Sequence, residues 1–432
     1  MTGTWPPATE VDPPIGSPVL TADSDADRGP SPAPAPVPRE AMLLAASIFL
    51  LIAATNILTP LLPDIRNEFR VSITTAGFIV GSYGLARLAV DLPAGFLADR
   101  VGHRRLAVIA IMLLIASSLV GLVAPTVEIL IVSRMGSGIS VSILATVILT
   151  ALSATAASGN RGKVMSLFHV AQNTGIALYP MVGGLLGVAL GWRATFVVTA
   201  GLAIVASVLL LPLLHRIEIP TRGSRHGSDA PDPRVLHGRQ RRVAVAATNV
   251  GVVANMIHRH GFRNTILPLY AATALGLGGV SIATAIALMS ITGLLVATPG
   301  GMLGDRIGRR RVISAGLAAV AVGDLVFLLT GDLASFLVAA AIIGLGDFFT
   351  SSQTALLSEI VPPDERTRVL SGYRFSADLG ALIGPVVLAF VMDVTDAKVA
   401  IVVAAAVLLT ASLLARIAVP APATLRAAGQ PG

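Results

Sequence analysis

One eleven-residue pattern occurs twice in this chain. Residues 95–105 read Gly-Phe-Leu-Ala-Asp-Arg-Val-Gly-His-Arg-Arg, and residues 301–311 read Gly-Met-Leu-Gly-Asp-Arg-Ile-Gly-Arg-Arg-Arg. Each copy follows a proline, Pro93 or Pro299, near the end of an apolar run, and each precedes another apolar run. Two equivalent loops 206 residues apart predict a chain of two halves in which the same segments recur in the same order.

The composition indicates that these loops join membrane helices. Apolar residues make up 54% of the chain and charged residues 13%, and the mean hydropathy is +0.80, whereas soluble domains carry about 25% charged residues. The net charge of +7 does not indicate a nucleic-acid partner, since most basic residues lie in loops beside apolar runs. The absence of cysteine excludes disulfides and thiolate metal sites, and we expect no metal and no cofactor.

Twelve apolar segments are long enough to be transmembrane helices. Their approximate ranges are 41–63, 72–97, 106–124, 129–157, 164–190 and 194–214 in the first half, and 243–272, 279–303, 312–330, 333–357, 369–392 and 399–415 in the second. The predicted fold is therefore an all-α polytopic membrane protein of two six-helix pseudo-repeats. The predicted regions are a disordered tail over 1–40, a bundle over 41–214, a linker over 215–242, a second bundle over 243–415 and a tail over 416–432.

The basic residues predict the orientation of the segments, because cytoplasmic loops are enriched in lysine and arginine. With the N-terminus inside, 22 of the 31 basic residues fall in the tails, the linker and the loops after even-numbered segments. The opposite side holds four, and the remaining five lie within segments. Both termini and the linker are therefore predicted to be cytoplasmic, in the plasma membrane.

The repeated loop resembles the loop signature of the major facilitator superfamily, whose twelve-helix transporters carry one copy per half. Segment 4 contains Arg134 two residues before Gly136 and four before Gly138, which resembles a family pattern linked to proton transfer. Segment 5 contains Gly175, Pro180 and a Gly-Gly pair, which resembles the signature of drug–proton antiporters, although Tyr179 stands where a second glycine is usual. The resemblance implies a transporter with its substrate path between the halves.

The residue types of the repeated loop suit a gate. Glycine at positions 102 and 308 allows the positive φ of a tight turn, and glycine at 95 and 301 allows close approach of helices. By the family resemblance, Asp99 would accept hydrogen bonds from a helix of the other half and act as a latch. A purely topogenic turn is the alternative for a single copy. The predicted gating residues are Gly95, Asp99, Arg100, Gly102, Arg104, Gly301, Asp305, Arg306, Gly308 and Arg309.

Small residues and prolines in segments 5 and 11 predict closely packed, kinked helices that could act as a hinge or a seal. Ordinary packing is the alternative. The residues concerned are Gly175, Pro180 and Gly184 in segment 5 and Gly384 and Pro385 in segment 11.

Charged residues within membrane segments are costly and therefore predict functional roles. Asp347 and Asp378 are the main candidates for proton coupling, followed by Arg134, Asp91 and Arg87. Arg134 could instead extend toward the membrane surface, and Arg87 and Asp91, four residues apart, could simply neutralise each other. Asp324 in segment 9 is expected at the periphery of the bundle or in an outer vestibule.

Segment 7 is unusually polar and predicts a face that lines a substrate cavity. The candidates are His258, Arg259 and Arg263, together with Tyr83 and with Asn173, which occupies the repeat position of Asp378. The two arginines could bind an anionic substrate or hold Asp347 and Asp378. A later start of segment 7 would instead place His258 near its cytoplasmic end, and Tyr83 could serve only for packing.

The leading hypothesis is a secondary transporter that works by alternating access and exports small organic molecules in exchange for protons. The alternatives are uptake of a small, possibly anionic metabolite and, more distantly, a membrane sensor or scaffold. We expect no enzymatic activity, since no nucleophile–base pair or phosphate-binding loop is present. The expected partners are the lipid bilayer and a small-molecule substrate, with the protein functioning as a monomer.

Overall fold

Helices account for nearly all of the part of the chain that the structure describes. The structure is a computed structural model, and it describes residues 37–156, 160–217, 236, 238–362 and 365–419. No strand occurs within these residues. We number the helical segments α1 (Arg39–Phe69), α2 (Ile73–Val101), α3 (His103–Leu122), α4 (Val127–Thr155), α5 (Arg161–Leu190), α6 (Ala194–Arg216), α7 (Gly238 to Ala274), α8 (Gly279–Ile307), α9 (Arg309–Leu329), α10 (Leu333–Ile360), α11 (Arg366–Val394) and α12 (Ala397–Ala418).

Eleven of these segments are long and apolar enough to cross a membrane. The remaining segment, α7, has a π-helix at its centre, Ile257–Ile266, that contains two histidines, two arginines and an asparagine. These polar residues lower the hydropathy of α7, while its two flanking α-helices, Gly238–Met256 and Leu267–Ala274, continue the same segment. The predicted all-α, multi-pass membrane fold is therefore confirmed.

The predicted segment boundaries differ from the helices by a few residues. Helix α1 begins at Arg39, within the predicted tail, and α7 begins at Gly238, within the predicted linker. Helix α6 ends at Arg216 and α12 at Ala418, again within the predicted linker and tail, and residues 1–36, 218–235, 237 and 420–432 lie outside the described residues.

Segment α1 is interrupted near its middle. An α-helix ends at Leu51, a short helix covers Ala53–Asn56, and a 3₁₀ turn covers Thr59–Leu61. Pro60 and the nearby Pro63 have no N–H to donate, so the helix cannot continue its ordinary hydrogen bonding through this region. The carbonyls in the last turn before the break therefore need donors from elsewhere.

The two halves of the bundle contact each other on the side opposite the repeated loops. Gly81 of α2 packs against Leu382 and Val386 of α11, and Gly184 of α5 packs against Gly279 and Ala283 of α8. The absence of a Cβ on these glycines lets the helix backbones approach closely. We call the side that carries residues 95–105 and 301–311 the loop side. We call the opposite side, where these glycine contacts join the two halves, the closed side.

Toward the loop side, the two halves separate. Apart from its own helical turn, no described residue has an atom within 4 Å of where a Cβ on Gly95 would be, so the predicted close helix approach at this glycine is wrong for this conformation. Asp99 and Arg100 are exposed there. The cavities between the halves therefore lie between the closed contact and the loop side.

Candidate functional site

A cluster of charged side chains joins the two halves through α2 and α11. The Nη2 atom of Arg87 lies 3.6 Å from Asp91 on its own helix and 3.4 Å from Asp378 on α11. Ser142 of α4 donates a hydrogen bond to Asp91. Arg87 and Asp91 are therefore more than a self-neutralising pair within one helix, because the same guanidinium also binds an acid of the other half.

This cluster borders a cavity of about 110 Å³. The cavity lies between α2, α4 and α11, and its lining includes Asp91, Asp378 and Arg374. Arg374 forms no ion pair with a carboxylate of the described residues. The coupling candidates Asp91 and Asp378 thus face a polar space in contact with both halves.

A second cavity, of about 90 Å³, is lined by Asn173 and Ile176 of α5, Arg259 and Arg263 of α7, several residues of α8, and Asp347 of α10. Arg259 donates a hydrogen bond of 2.6 Å to Asp347. The structure therefore brings together three cavity candidates, Asn173, Arg259 and Arg263, with one of the two main coupling candidates. Asp347 is held by Arg259, whereas Asp378 is held by Arg87.

Arg263 stands apart from the other arginines of this cavity. Its side chain is buried, with 7% of the residue exposed, and it donates a hydrogen bond of 3.0 Å to Ser290. Within the described residues it forms no ion pair with a carboxylate, and its Nε atom has no hydrogen-bond partner. Arg263 thus brings a positive charge to the cavity without a directly bound acid.

His258 does not face this cavity, so the prediction that it lines the substrate path is wrong. It is buried in the second half, where its Nδ1 lies 3.0 Å from Asp324 of α9 and its ring stacks on Phe262. Asp324 is itself fully buried, which also corrects its expected place at the periphery. The neighbouring residues of the π-helix point in different directions, so that His258 packs inward while Arg259 reaches the cavity.

Tyr83 is likewise buried within the first half, and its predicted role in lining the substrate path is wrong. Its hydroxyl forms a hydrogen bond of 2.7 Å with Thr55, and its ring packs beneath the guanidinium of Arg134 at 5.1 Å. Arg134 donates to the carbonyls of Ala54 at 2.7 Å and Thr55 at 3.3 Å. Arg134 therefore satisfies the backbone at the break in α1 rather than extending toward the membrane surface.

The repeated loops share their turn but differ in their contacts. Gly102 and Gly308 have φ values of 92° and 96°, which is the predicted positive φ. Asp305 accepts a hydrogen bond of 2.5 Å from Arg309, which also contacts Glu359 of α10 at 3.2 Å. Asp99 has no such bond to the described residues, so the predicted latch to the other half is not formed in this conformation.

The remaining gating candidates lie on the surface near these turns. Arg100, Arg104 and Arg306 are exposed, and the carbonyl of Gly301 accepts a hydrogen bond of 3.2 Å from Arg309. Their roles in gating stay predictions.

Two of the five seal candidates, Gly184 and Pro385, contact the other half of the bundle. Gly184 packs on α8, and the carbonyl of Pro385 lies against Gly77 of α2. Gly175 packs on Ile52, and Gly384 packs on Ile257, so each contacts its own half. Helices α5 and α11 continue without interruption through Pro180 and Pro385.

Two polar contacts between the halves were not predicted. Asn264 of α7 donates a hydrogen bond of 3.3 Å to Asn56 of α1. Asp393, near the end of α11, accepts hydrogen bonds from the backbone of Ile73 at 3.3 Å and the hydroxyl of Thr74 at 2.8 Å, at the start of α2. The first contact had a signal in the sequence, since both asparagines occupy the same place in segments 1 and 7. The second contact lies on the closed side, where it holds the end of α11 against the start of α2.

Comparisons with known proteins agree with this architecture. The sequence profile described as Major Facilitator Superfamily matches residues 44–258 and 252–431. Multidrug resistance protein 1 of Bacillus subtilis (strain 168) is 27% identical over 176 residues, which cover 41% of this chain and 45% of that protein. Multidrug resistance protein 2 of the same strain is 23% identical over 330 residues, which cover 74% of this chain and 80% of that protein. The match thus spans less than half the length of the first relative.

Among solved structures, the chain is similar to a bacterial homologue of the human lysosomal transporter Spinster in an inward-facing, unoccupied conformation. The TM-score is 0.68 at 13% identity, and the match covers 91% of this chain and 98% of that one. At this identity the likeness concerns the fold alone.

Proposed function

The chain belongs to the major facilitator superfamily, and we propose that it exports small organic molecules in exchange for protons by alternating access. The observation that carries this proposal is the bridge from Arg87 to Asp378, because it links a protonatable acid to the contact between the halves. Coupling alternating access to protons requires such a link, since a proton must change the relative stability of two conformations in order to drive transport.

The bridge gives the proton a direct mechanical consequence. With both acids ionised, Arg87 holds Asp91 and Asp378 together and ties α2 to α11. A proton on Asp378 would neutralise the carboxylate and weaken the charge-assisted contact between the halves. The halves could then separate on the closed side, where Asp393 holds the start of α2 by weaker, neutral donors.

The second cavity supplies the substrate site of this proposal. The ion pair of Arg259 with Asp347 and the polar group of Asn173 line a space between helices of both halves. A substrate bound there would compete for the same arginines and so influence the same conformational equilibrium. The names of the two Bacillus relatives, both multidrug resistance proteins, support export rather than uptake.

The remaining parts of the proposal concern placement. We take the loop side as cytoplasmic, because the basic residues concentrate there. The structure then corresponds to a conformation closed to the outside, in which Asp305 binds Arg309 of its own half. Asp99 and Asp305 would latch the loop side in the alternate conformation, and the protein would work as a monomer in the plasma membrane.

A second candidate function is uptake or facilitated transport of a small anionic metabolite. Arg263 favours it, because a buried arginine without a bound carboxylate leaves a positive charge for a ligand to neutralise. The two candidates differ in the direction of substrate movement under a pH gradient and in the charge of the substrate.

Transport in proteoliposomes under an imposed pH gradient tests the proposal, with a panel of organic cations, sugars and carboxylic acids as substrates. Asp378→Asn should lose accumulation driven by the gradient while retaining exchange of labelled for unlabelled substrate, because asparagine cannot carry the proton but still permits alternating access. Asp347→Asn, measured in the same assay, shows whether Asp347 rather than Asp378 carries the coupling proton. Asp396→Asn is the matched control, since Asp396 caps α12 on the closed side away from both cavities.

Substrate movement with the protons, rather than against them, would support uptake and exclude the export proposal. Full gradient-driven transport by both asparagine variants at Asp378 and Asp347 would exclude these acids as the coupling groups. Selective transport of the carboxylic acids would favour the second candidate function.

A further inference from the structure

A groove between α9 and α12 opens on the loop side, away from the two cavities described above. Its cavity has a volume of about 480 Å³ and is lined by three arginines, Arg310, Arg311 and Arg416. The rest of its wall consists of small residues, Ser314, Ala315, Ala318 and Ser412. The serines join the two helices, because Ser412 donates a hydrogen bond of 2.7 Å to the carbonyl of Ser314.

The three arginines give this groove a positive charge that no carboxylate of the described residues pairs directly. Arg311 and Arg416 are exposed, Arg310 is partly buried, and none of them forms an ion pair with a carboxylate in the described part of the chain. Nearby Arg309, by contrast, is paired with Asp305 and Glu359. The arginines of the groove thus remain available to an anionic ligand from outside the protein.

The groove continues as an exposed apolar surface along α9 and α12, away from the loop side. One turn beyond Ala318 on α9, Val322 is 54% exposed, and one turn beyond Ser412 on α12, Leu409 is 42% exposed. Both side chains belong to membrane-spanning helices. A ligand that follows this surface would therefore have a charged end among the arginines and an apolar end among aliphatic side chains.

The first half shows that basic loop residues alone do not create this groove. Helix α3 repeats α9 with an offset of 206, and it carries the same basic pair, Arg104 and Arg105. The positions of Ala315 and Ala318 are taken there by Ile109 and Met112, which are bulky and exposed. The buried positions of α6 and α12 align with an offset of 205, which places Leu211 at the position of Arg416.

This difference between the halves distinguishes two explanations of the basic residues, which are orientation in the membrane and the binding of a ligand. Orientation in the membrane accounts for a basic pair in each half. It does not account for the third arginine and the small-residue wall, which occur together only in the second of these two helix pairs. Those features suit a ligand, and a basic pocket between membrane helices at the cytoplasmic surface suits an anionic lipid headgroup.

We propose that this groove binds an anionic phospholipid, with its phosphate between Arg311 and Arg416 and an acyl chain along Val322 and Leu409. The site is separate from the transport cavities and does not depend on the proposed substrate or direction. An occupied groove would bridge α9 and α12 at their ends.

Native mass spectrometry of the full chain, incubated in detergent with phosphatidylglycerol or with phosphatidylcholine of the same acyl chains, tests the site. The wild type should retain phosphatidylglycerol in preference to phosphatidylcholine. Arg311→Gln combined with Arg416→Gln should reduce this retention by about tenfold or more, given the usual contribution of each arginine to anionic-lipid binding. The matched control, Arg104→Gln with Arg105→Gln, removes equal charge from the other half and should retain the lipid.

A second variant tests the shape of the groove without changing its charge. Ala315→Ile combined with Ala318→Met copies the first half, and it should also lose phosphatidylglycerol because its side chains fill the groove. If this variant binds the lipid as the wild type does, the arginines act only as a charged surface and the proposed site is wrong. An equal loss in the Arg104/Arg105 control would also overturn it.

A competition experiment distinguishes a lipid from a free anion. Inorganic phosphate in large excess should not displace phosphatidylglycerol, because it lacks the acyl chains that contact the apolar part of the groove. Complete displacement by phosphate would show an anion site without lipid specificity and would overturn the proposal.

Discussion

The two halves repeat the same helix order but treat the irregular region of their first helix differently. In α1 the helix breaks, and Arg134 from α4 supplies hydrogen bonds to the carbonyls of Ala54 and Thr55. In α7 the same part of the repeat is a π-helix, in which each N–H donates to a carbonyl five residues earlier, as that of Leu267 does to Phe262. The π-helix satisfies its own backbone and so needs no arginine from a neighbouring helix.

This difference decides what the arginines of each half can do. The buried arginine of α4 is committed to the structure of the first half, whereas Arg259 and Arg263 of α7 extend into a cavity. π-helical turns are rare and occur frequently at functional sites. The role of an intramembrane arginine therefore depends on the backbone around it. A broken helix such as α1 has carbonyls that take up the guanidinium of Arg134, whereas the continuous α7 leaves its arginines available to a ligand.

The largest expected effect is a difference in stability between two variants, one lacking Arg134 of the first half and one lacking Arg263 of the second. Arg134→Ala should lower the free energy of unfolding by about 3 kcal/mol, because two buried carbonyls lose their donors and each costs roughly 1–3 kcal/mol. Arg263→Ala removes only the hydrogen bond to Ser290 and should cost about 1 kcal/mol or less. Thermal unfolding of the two purified variants in the same detergent measures the difference.

Transport assays on the same two variants separate an effect on substrate binding from an effect on folding. Arg263→Ala should change substrate affinity while the protein stays folded, whereas any loss of transport in Arg134→Ala should follow its loss of folded protein. Equal destabilisation by the two substitutions would show that the halves use their arginines alike, and the distinction drawn from the π-helix would fail.

A medium effect is expected where the halves differ in a buried acid. Asp324 of α9 binds His258, and the equivalent residue of α3, at an offset of 206, is Ser118. Asp324→Ser copies the first half and should lower stability by about 1–2 kcal/mol, because His258 loses its buried partner. The cost is moderated because the second oxygen of Asp324 has no hydrogen-bond partner among the described residues.

The double variant Asp324→Ser/His258→Phe identifies the source of that cost. Thermal unfolding should show partial recovery relative to Asp324→Ser, since the unpaired imidazole is then gone and an aromatic ring still stacks near Phe262. If Asp324→Ser is as stable as the wild type, the pair contributes nothing to the second half.

The sequence predicted the fold well, because apolar length, basic-residue placement and the repeated loop are properties of single segments. It predicted the cavity positions of Arg259 and Asn173 but misplaced His258 and Tyr83. In a helix that is apolar on all sides, the pattern of residues does not show which side faces a cavity, since lipid and protein interior are equally apolar. The partner of Asp378 could not be predicted either, because Arg87 lies almost three hundred residues away and meets it only through the packing of α2 on α11.

The smallest expected effect concerns the start of the fourth helix in each half. Asp332 caps α10, where it accepts hydrogen bonds from Ser335, whereas Thr126 at the start of α4 makes no such side-chain cap. The bonds from the hydroxyl and the backbone N–H of Ser335 hold the pKa of Asp332 below its ordinary value of 3.8. A lowered pKa in the folded state means that the cap stabilises above the unfolded pKa and is lost as the pH falls through the folded one.

Hydrogen exchange at the first turn of α10 measures this effect, after correction for the intrinsic pH dependence of exchange. Wild-type protection should persist down to about pH 4 and then fall, and Asp332→Ala should lack the protection already at neutral pH. Asp332→Asn should keep the cap at every pH, because asparagine accepts the same hydrogen bond without titrating. Thr126→Ala should leave the first turn of α4 unchanged, and a comparable loss there would show that both halves cap this helix in the same way.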